Sequence, residues 1–112
     1  IGLVGGSITG AYSASKGGVR LLTKSAAVEC ANLGYAIRII SIHPGYIDGG
    51  MLATMAAEFG DESLYHRFAK RTPMKRLGKP DEIAKGVLFL VSEDASFATG
   101  SELILDGGYT AR

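Results

Sequence analysis

Ala36-Ile37-Arg38-Ile39-Ile40-Ser41-Ile42-His43-Pro44-Gly45 is the stretch on which the fold turns. Its β-branched residues, held between Gly34 and Pro44-Gly45, predict a strand over 36–42. Apolar side chains run through it almost without a break, as they do where a strand is buried on both faces of a parallel sheet covered by helices. Pro44 and Gly45 close the strand at its carboxyl end. In open α/β sheets that is the edge at which ligands bind.

On the amino-terminal side, residues 11–33 predict a helix. Val19, Leu22, Ala26 and Cys30 recur at three- and four-residue steps, Ala27 and Ala31 widen the stripe, and Gly34 stands where the helix should stop. The small residues Gly17, Gly18, Ala26, Ala27 and Ala31 suit a close contact with another helix or subunit, and equally suit ordinary packing on a sheet. The helix opens on Tyr12-Ser13-Ala14-Ser15-Lys16. A phenol and an ammonium four residues apart share a helix face, and a nearby cation favours the phenolate, so the pair has the layout of a proton-transfer site. A solvated tyrosine and a solvated lysine would give the same spacing. Residues 1–10 hold four glycines with Ser7 and Thr9, a loop composition whose backbone can turn tightly or approach a ligand.

On the carboxyl-terminal side, 46–78 is longer than an ordinary strand-to-helix connection. It contains two short amphipathic pieces, 51–59 and 62–70, separated by Gly60-Asp61 and closed by Thr72-Pro73-Met74. Met51, Leu52, Met55, Phe59, Leu64, Phe68 and Met74 supply an apolar side. Such a segment at the ligand edge reads as a lid over a hydrophobic substrate, the alternative being a packed surface excursion. Lys79-Pro80-Asp81-Glu82 starts a second helix, with proline at its first position and two acids facing the positive dipole end. A polar connection over 92–100 leads to a short strand at Leu103-Ile104-Leu105 and a turn at Asp106-Gly107-Gly108. The order of helix, strand, lid, helix and strand implies crossover units and a parallel sheet. A stable sheet needs at least about three strands with a covered face, so the chain is expected to be part of a larger doubly wound α/β domain.

Composition narrows the function. The 112 residues bound the chain to one domain at most, and 12 basic against 11 acidic side chains leave a net charge of +1. With no block of like charge, neither nucleic acid nor a membrane surface is an expected partner. The single cysteine, Cys30, excludes a disulfide framework within the chain and is expected to be a small buried hydrophobe in a reducing compartment. No apolar run approaches the ~20 residues of a membrane-spanning helix, and the expected location is the cytoplasm. His43 and His66 have no ligand spacing with Cys30 or a carboxylate, so no metal is expected.

Four motifs, Gly10-Ala11-Tyr12-Ser13-Ala14-Ser15-Lys16-Gly17-Gly18-Val19, Ile40-Ser41-Ile42-His43-Pro44-Gly45-Tyr46-Ile47, Gly78-Lys79-Pro80-Asp81-Glu82-Ile83-Ala84, and Ala98-Thr99-Gly100-Ser101-Glu102 with Leu105-Asp106-Gly107-Gly108, stand in one order along the chain. Together they resemble the short-chain dehydrogenase/reductase family, in its compact single-domain branch. The resemblance implies that residues 1–112 are the C-terminal portion of one NAD(P)-binding Rossmann domain, with 46–78 as its substrate-binding lid. It implies an oxidoreductase that moves a hydride between NAD or NADP and a secondary alcohol or ketone. Tyr12 would be the acid/base and Lys16 would hydrogen-bond the nicotinamide ribose while lowering the pKa of Tyr12. Pro44, Gly45 and Ile47 would receive the nicotinamide, the backbone of Ile47 orienting its carboxamide.

The family's catalytic serine would lie about thirteen residues before Tyr12, upstream of Ile1, and its glycine-rich phosphate turn further upstream still. Ser7 is too close to Tyr12 to replace that serine and would be a loop hydroxyl or, with Thr9, line the substrate pocket. Where the family commonly has threonine this chain has Gly49, preceded by Asp48, which is either a solvated lid residue or a local substitute. The family tail implies a homo-oligomer, tetramer or dimer. The expected substrate is a small hydrophobic alcohol or ketone, with alicyclic and steroid-like compounds both open. The alternative is a truncated, inactive family fragment with a structural or oligomer-forming role.

Overall fold

A computed structural model describes residues 9–111 of the chain. The glycine-rich approach over 1–8, Ser7 included, lies outside the described residues. The elements in order are α1 (Gly10–Asn32), β1 (Ser41–Pro44), α2 (Gly50–Phe59), α3 (Ser63–Arg71), α4 (Pro80–Val91), a single 3₁₀ turn (Glu93–Ala95) and β2 (Glu102–Leu105). The two strands pair in parallel, as the alternation of helix and strand requires. The chain forms two compact units, 9–42 with 89–103 and 43–88 with 104–111.

In the first unit α1 ends as its sequence predicts. Gly34 takes φ +73°. Its N–H donates to Ala31 O at 3.1 Å and the N–H of Tyr35 donates to Cys30 O at 2.9 Å. This is the Schellman pair, which satisfies two carbonyls that the helix itself leaves open. The face that α1 buries overlaps the predicted stripe only in part. Leu22 is 69% exposed and Val19 52%, Ala31 is exposed and Cys30 half-buried, whereas Ala27 is 1% exposed. The covered face runs through Arg20, Lys24 and Ala27 at helical spacing. Glu102 binds Arg20 Nε at 2.6 Å and Lys24 Nζ at 2.9 Å, and Lys24 also donates to Gly100 O at 3.3 Å. A Cβ on Gly100 would stand 3.5 Å from that of Ala27. Among the described residues α1 is therefore held on a side that shares Ala27 with the apolar stripe and adds the ion-paired Arg20 and Lys24.

The strand predicted over 36–42 is shorter and shifted, at Ser41–Pro44. The cause lies opposite it. Ile39 N–H donates to the side-chain Oγ1 of Thr99 at 3.2 Å rather than to a backbone carbonyl, and Gly100, at φ +65°, turns its own chain. The ladder becomes regular only where Ser41 N–H reaches Ser101 O at 3.2 Å. Burial on both faces is also not found: Ser41 is buried, Ile42 and His43 are half-buried and Pro44 is exposed. Among the described residues the sheet has two strands, so each has a hydrogen-bonding neighbour on one side only. Arg38 has a specific task. Its guanidinium donates to the carbonyls of Leu90 at 2.8 Å and Ser92 at 3.3 Å, at the carboxyl end of α4 where a cation also complements the helix dipole, and to that of Ala98 at 3.4 Å in the connection to β2.

The second unit contains α2 and α3, within one or two residues of the predicted pieces. Leu52, Ala56 and Leu64 form its buried centre, with Met55, Tyr65, Phe68 and Leu77 packed around them. Gly60, at φ +59°, ends α2 in the left-handed conformation that glycine adopts at least cost.

Candidate active site

Tyr12 and Lys16 come together on α1. The four-residue step brings the Lys16 ammonium over the Tyr12 ring, 5.4 Å from its centroid. Tyr12 is 47% exposed. The helix around the pair is hydroxyl-rich: Ser15 Oγ donates to Tyr12 O at 2.8 Å, and the hydroxyls of Thr9 and Ser13 lie 3.3 Å apart.

Pro44, Gly45 and Ile47 come together in the second unit, on the segment that leaves β1. Gly45 N–H donates to Leu105 O at 3.0 Å, continuing the parallel ladder one step beyond the strand. A Cβ on Gly45 would stand 2.6 Å from Asp106 Cα, so only glycine permits this approach. Two residues on, Ile47 forms a parallel bridge with Gly78. Gly78 N–H donates to Tyr46 O at 2.9 Å and Gly78 O accepts from Asp48 N–H at 2.8 Å. In parallel pairing this pattern turns the N–H and C=O of the bracketed residue, Ile47, away from Gly78. The Ile47 side chain faces Gly78 closely, since a Cβ there would stand 2.6 Å from Ile47 Cδ1. Tyr46 anchors the same segment, its ring stacked on Phe68 at 4.4 Å between centroids and edge-on to Tyr109 at 5.2 Å. Burial pushes the Tyr46 phenol above its ordinary value, and the hydrogen bond with Tyr109 adds to this, against a smaller opposing pull from Arg71.

Two further structures hold the segment, and neither belonged to the expected site. The Asp106 carboxylate accepts from the N–H groups of Gly108 at 2.8 Å, Tyr109 at 3.1 Å and Thr110 at 2.9 Å, and from the Thr110 hydroxyl at 2.7 Å. Burial works to raise its pKa, but the bonds from Thr110, Gly108 and Tyr109 together outweigh it and hold the carboxyl below its ordinary value. Gly107 and Gly108 take φ +62° and +87° in this turn, and a Cβ on Gly107 would stand 2.5 Å from Thr72 Cγ2. On the other side, Glu82 accepts two bonds from the Arg76 guanidinium, at 2.7 and 2.8 Å, and one from Lys79 N–H at 2.8 Å. The Arg76 bonds, with that of Lys79 behind them, bring the Glu82 carboxyl down to about 2. The Lys79–Glu82 spacing was legible as a helix start; the six-residue reach to Arg76 was not. Gly49 is the residue before α2, in extended backbone, with its carbonyl accepting from Ala53 N–H at 3.1 Å, and Asp48 is exposed. His66 is exposed on α3, and among the described residues no group of three His, Cys, Asp or Glu side chains could hold a metal.

An α/β chain with parallel strands, a Tyr-x-x-x-Lys helix and a glycine approach after the strand defines a Rossmann-type protein. The family model described as enoyl-(acyl carrier protein) reductase matches residues 2–110. A solved short chain dehydrogenase family protein from Francisella tularensis subsp. tularensis SCHU S4 superposes with a TM-score of 0.86 at 32% identity, over 99% of this chain and 48% of that one. The chain belongs to the short-chain dehydrogenase/reductase family. The NADP-dependent (R)-specific alcohol dehydrogenase of Lentilactobacillus kefiri is 43% identical over 111 residues, 99% of this chain and 42% of that protein. The cyclohexanol dehydrogenase of Acinetobacter sp. (strain SE19) is 46% identical over 111 residues, 99% of this chain and 40% of that protein. The chain thus spans about two fifths of the length of the curated relatives it matches. Among the described residues no helix is long and apolar enough to cross a membrane.

Proposed function

We propose that this chain carries the proton-transfer helix, the nicotinamide loop and the lid of an NAD(P)-dependent oxidoreductase acting on an alicyclic secondary alcohol or its ketone. The observation that carries the reading is the Lys16 ammonium 5.4 Å from the centre of an exposed Tyr12 ring. A phenol and an ammonium held on one helix face have the layout of a proton-transfer pair. Tyr12 would give its proton to the carbonyl oxygen in reduction and take it from the hydroxyl in oxidation. Lys16 has three donors, enough to hold a ribose hydroxyl while acting on the phenol. The nicotinamide, when bound, supplies or accepts the hydride. Ile47 suits its carboxamide because the peptide N–H and C=O of Ile47 turn away from Gly78. Residues 46–78, with the apolar centre of α2 and α3, would cover the substrate.

The relatives' names favour catalysis over a purely structural role, and cyclohexanol dehydrogenase favours an alicyclic substrate. The test is ketone-dependent oxidation of the reduced cofactor by the full-length protein and by Tyr12→Phe. Loss of turnover with cofactor binding retained supports the assignment, and retained turnover in Tyr12→Phe would sink it. Lys16→Ala should weaken cofactor binding; unchanged affinity counts against the ribose contact.

A further inference from the structure

We infer that Arg76 and Glu82 are positioning residues for the 44–48 loop, an assignment that rests on the reading above in which this loop receives the nicotinamide. Gly78 is the loop's partner on this side: its N–H and C=O bond Tyr46 and Asp48, and its Cα surface lies against Ile47 Cδ1. Gly78 has no side chain with which to fix itself, so its place depends on its neighbours in the chain. One carboxylate holds both flanks. Glu82 grips the Arg76 guanidinium on the amino-terminal side and the Lys79 N–H on the carboxyl-terminal side. Glu82 Oε2 itself stands 3.9 Å from where a Gly78 Cβ would be. The bidentate pairing fixes orientation as well as distance, which a single ion contact would not do.

The contact chain therefore runs from α4 through Glu82 to Gly78 and on to the peptide groups around Ile47. None of these side chains needs to touch cofactor or substrate. Loosening Glu82 lets Gly78 drift, and a displacement near ~1 Å at a loop that orients a reacting group can cost up to about a hundredfold in rate.

The test compares Glu82→Gln and Arg76→Lys with the parent in the full-length protein. Each variant weakens the two-pronged grip while keeping side-chain size similar. Two affinities are measured by calorimetry: one for the complete dinucleotide and one for ADP-ribose, or its 2′-phosphate if the enzyme uses NADP, which lacks the nicotinamide. The expected result is a loss of about tenfold in kcat/KM for the cofactor, with weakened dinucleotide binding and unchanged ADP-ribose binding. Unchanged kinetics in both variants overturn the inference. So does an equal loss for both ligands, or a fall in activity that tracks only the fraction of folded protein, since a merely structural ion pair would give those. Failure of the underlying reading looks different: the parent itself would bind the dinucleotide no better than ADP-ribose, and Tyr12→Phe would leave turnover intact.

Discussion

Gly45 lies so close to Asp106 that an added Cβ would stand 2.6 Å from the Asp106 Cα and 2.8 Å from its Cβ. The obstacle is backbone and the root of a side chain whose carboxylate is tied down by four hydrogen bonds, so it cannot swing aside. Gly45→Ala is expected to cost about 1–3 kcal/mol, the usual range for forcing a methyl group into a packed site. Denaturant unfolding of the full-length protein measures it. An unchanged midpoint would mean that the 105–106 turn yields easily and that Gly45 is present for another reason.

Asp106 gives the second prediction. Asp106→Asn keeps one acceptor oxygen and loses the other, on which Thr110 N–H and the Thr110 hydroxyl depend. The expected cost is about 1–2 kcal/mol at neutral pH. The folded-state pKa of Asp106 lies below its ordinary 3.8, so its carboxylate stabilises the fold above that pH and the contribution is lost as pH falls through the folded value. The gap between the parent and the asparagine variant should therefore be full at pH 7 and narrow below pH 3.8. A gap that stays constant with pH would show the carboxylate charge to be irrelevant to the turn.

Glu102 offers a cleaner titration. Its side chain is 13% exposed, and the bonds from Arg20 and then Lys24 hold its carboxyl at about 2 against an ordinary 4.5. Both cationic partners are more than a third exposed, so solvent screens much of the interaction and Glu102→Gln is expected to cost only about 1 kcal/mol. The sign follows from a lowered pKa: the stabilisation is complete above pH 4.5 and disappears as pH falls toward 2. Raising the salt concentration at pH 7 should shrink the same difference. Thermal unfolding of both proteins from pH 7 to pH 2.5 follows it, and equal midpoints at pH 7 would remove Glu102 as the tie that holds α1.

What could be read from the sequence follows from range. The bounds of α1, α2, α3 and α4 were legible because caps, proline and glycine act within a turn or two, as Gly34, Gly60 and Pro80 do. The Tyr12–Lys16 pair was legible for the same reason: four residues on a helix fix the geometry. The length of β1 was not, because it depends on Thr99 and Gly100, some sixty residues away. The covered face of α1 was legible only in part, since the stripe of Val19, Leu22, Ala26 and Cys30, widened by Ala27 and Ala31, indicates what could be buried, and the arrival of Glu102 at Arg20 and Lys24 determines which part of it is held. The loop at 44–48 was recognisable from Pro44-Gly45 as the turn that closes the strand, but the residues that grip it, Gly78, Asp106 and Glu82, are joined to it only by the fold.

Leu64 is 9% exposed and lies in the buried centre shared by α2 and α3, beside Leu52 and Ala56. Leu64→Ala removes three carbons from a small cluster that has few other contacts to redistribute, and is expected to cost about 2–3 kcal/mol. Because the second unit has its own apolar centre, the loss should appear locally: amides over 50–71 should exchange faster, while those of α1 hold their protection. If 46–78 is a lid over an apolar substrate, the same variant should raise KM for the alcohol several-fold and leave the cofactor KM within about twofold, since the groups proposed to meet the nicotinamide lie before α2. Hydrogen exchange and steady-state kinetics on one preparation test both halves. Faster exchange with unchanged KM for the alcohol would leave α2 and α3 as a packed surface excursion and remove the lid from the mechanism.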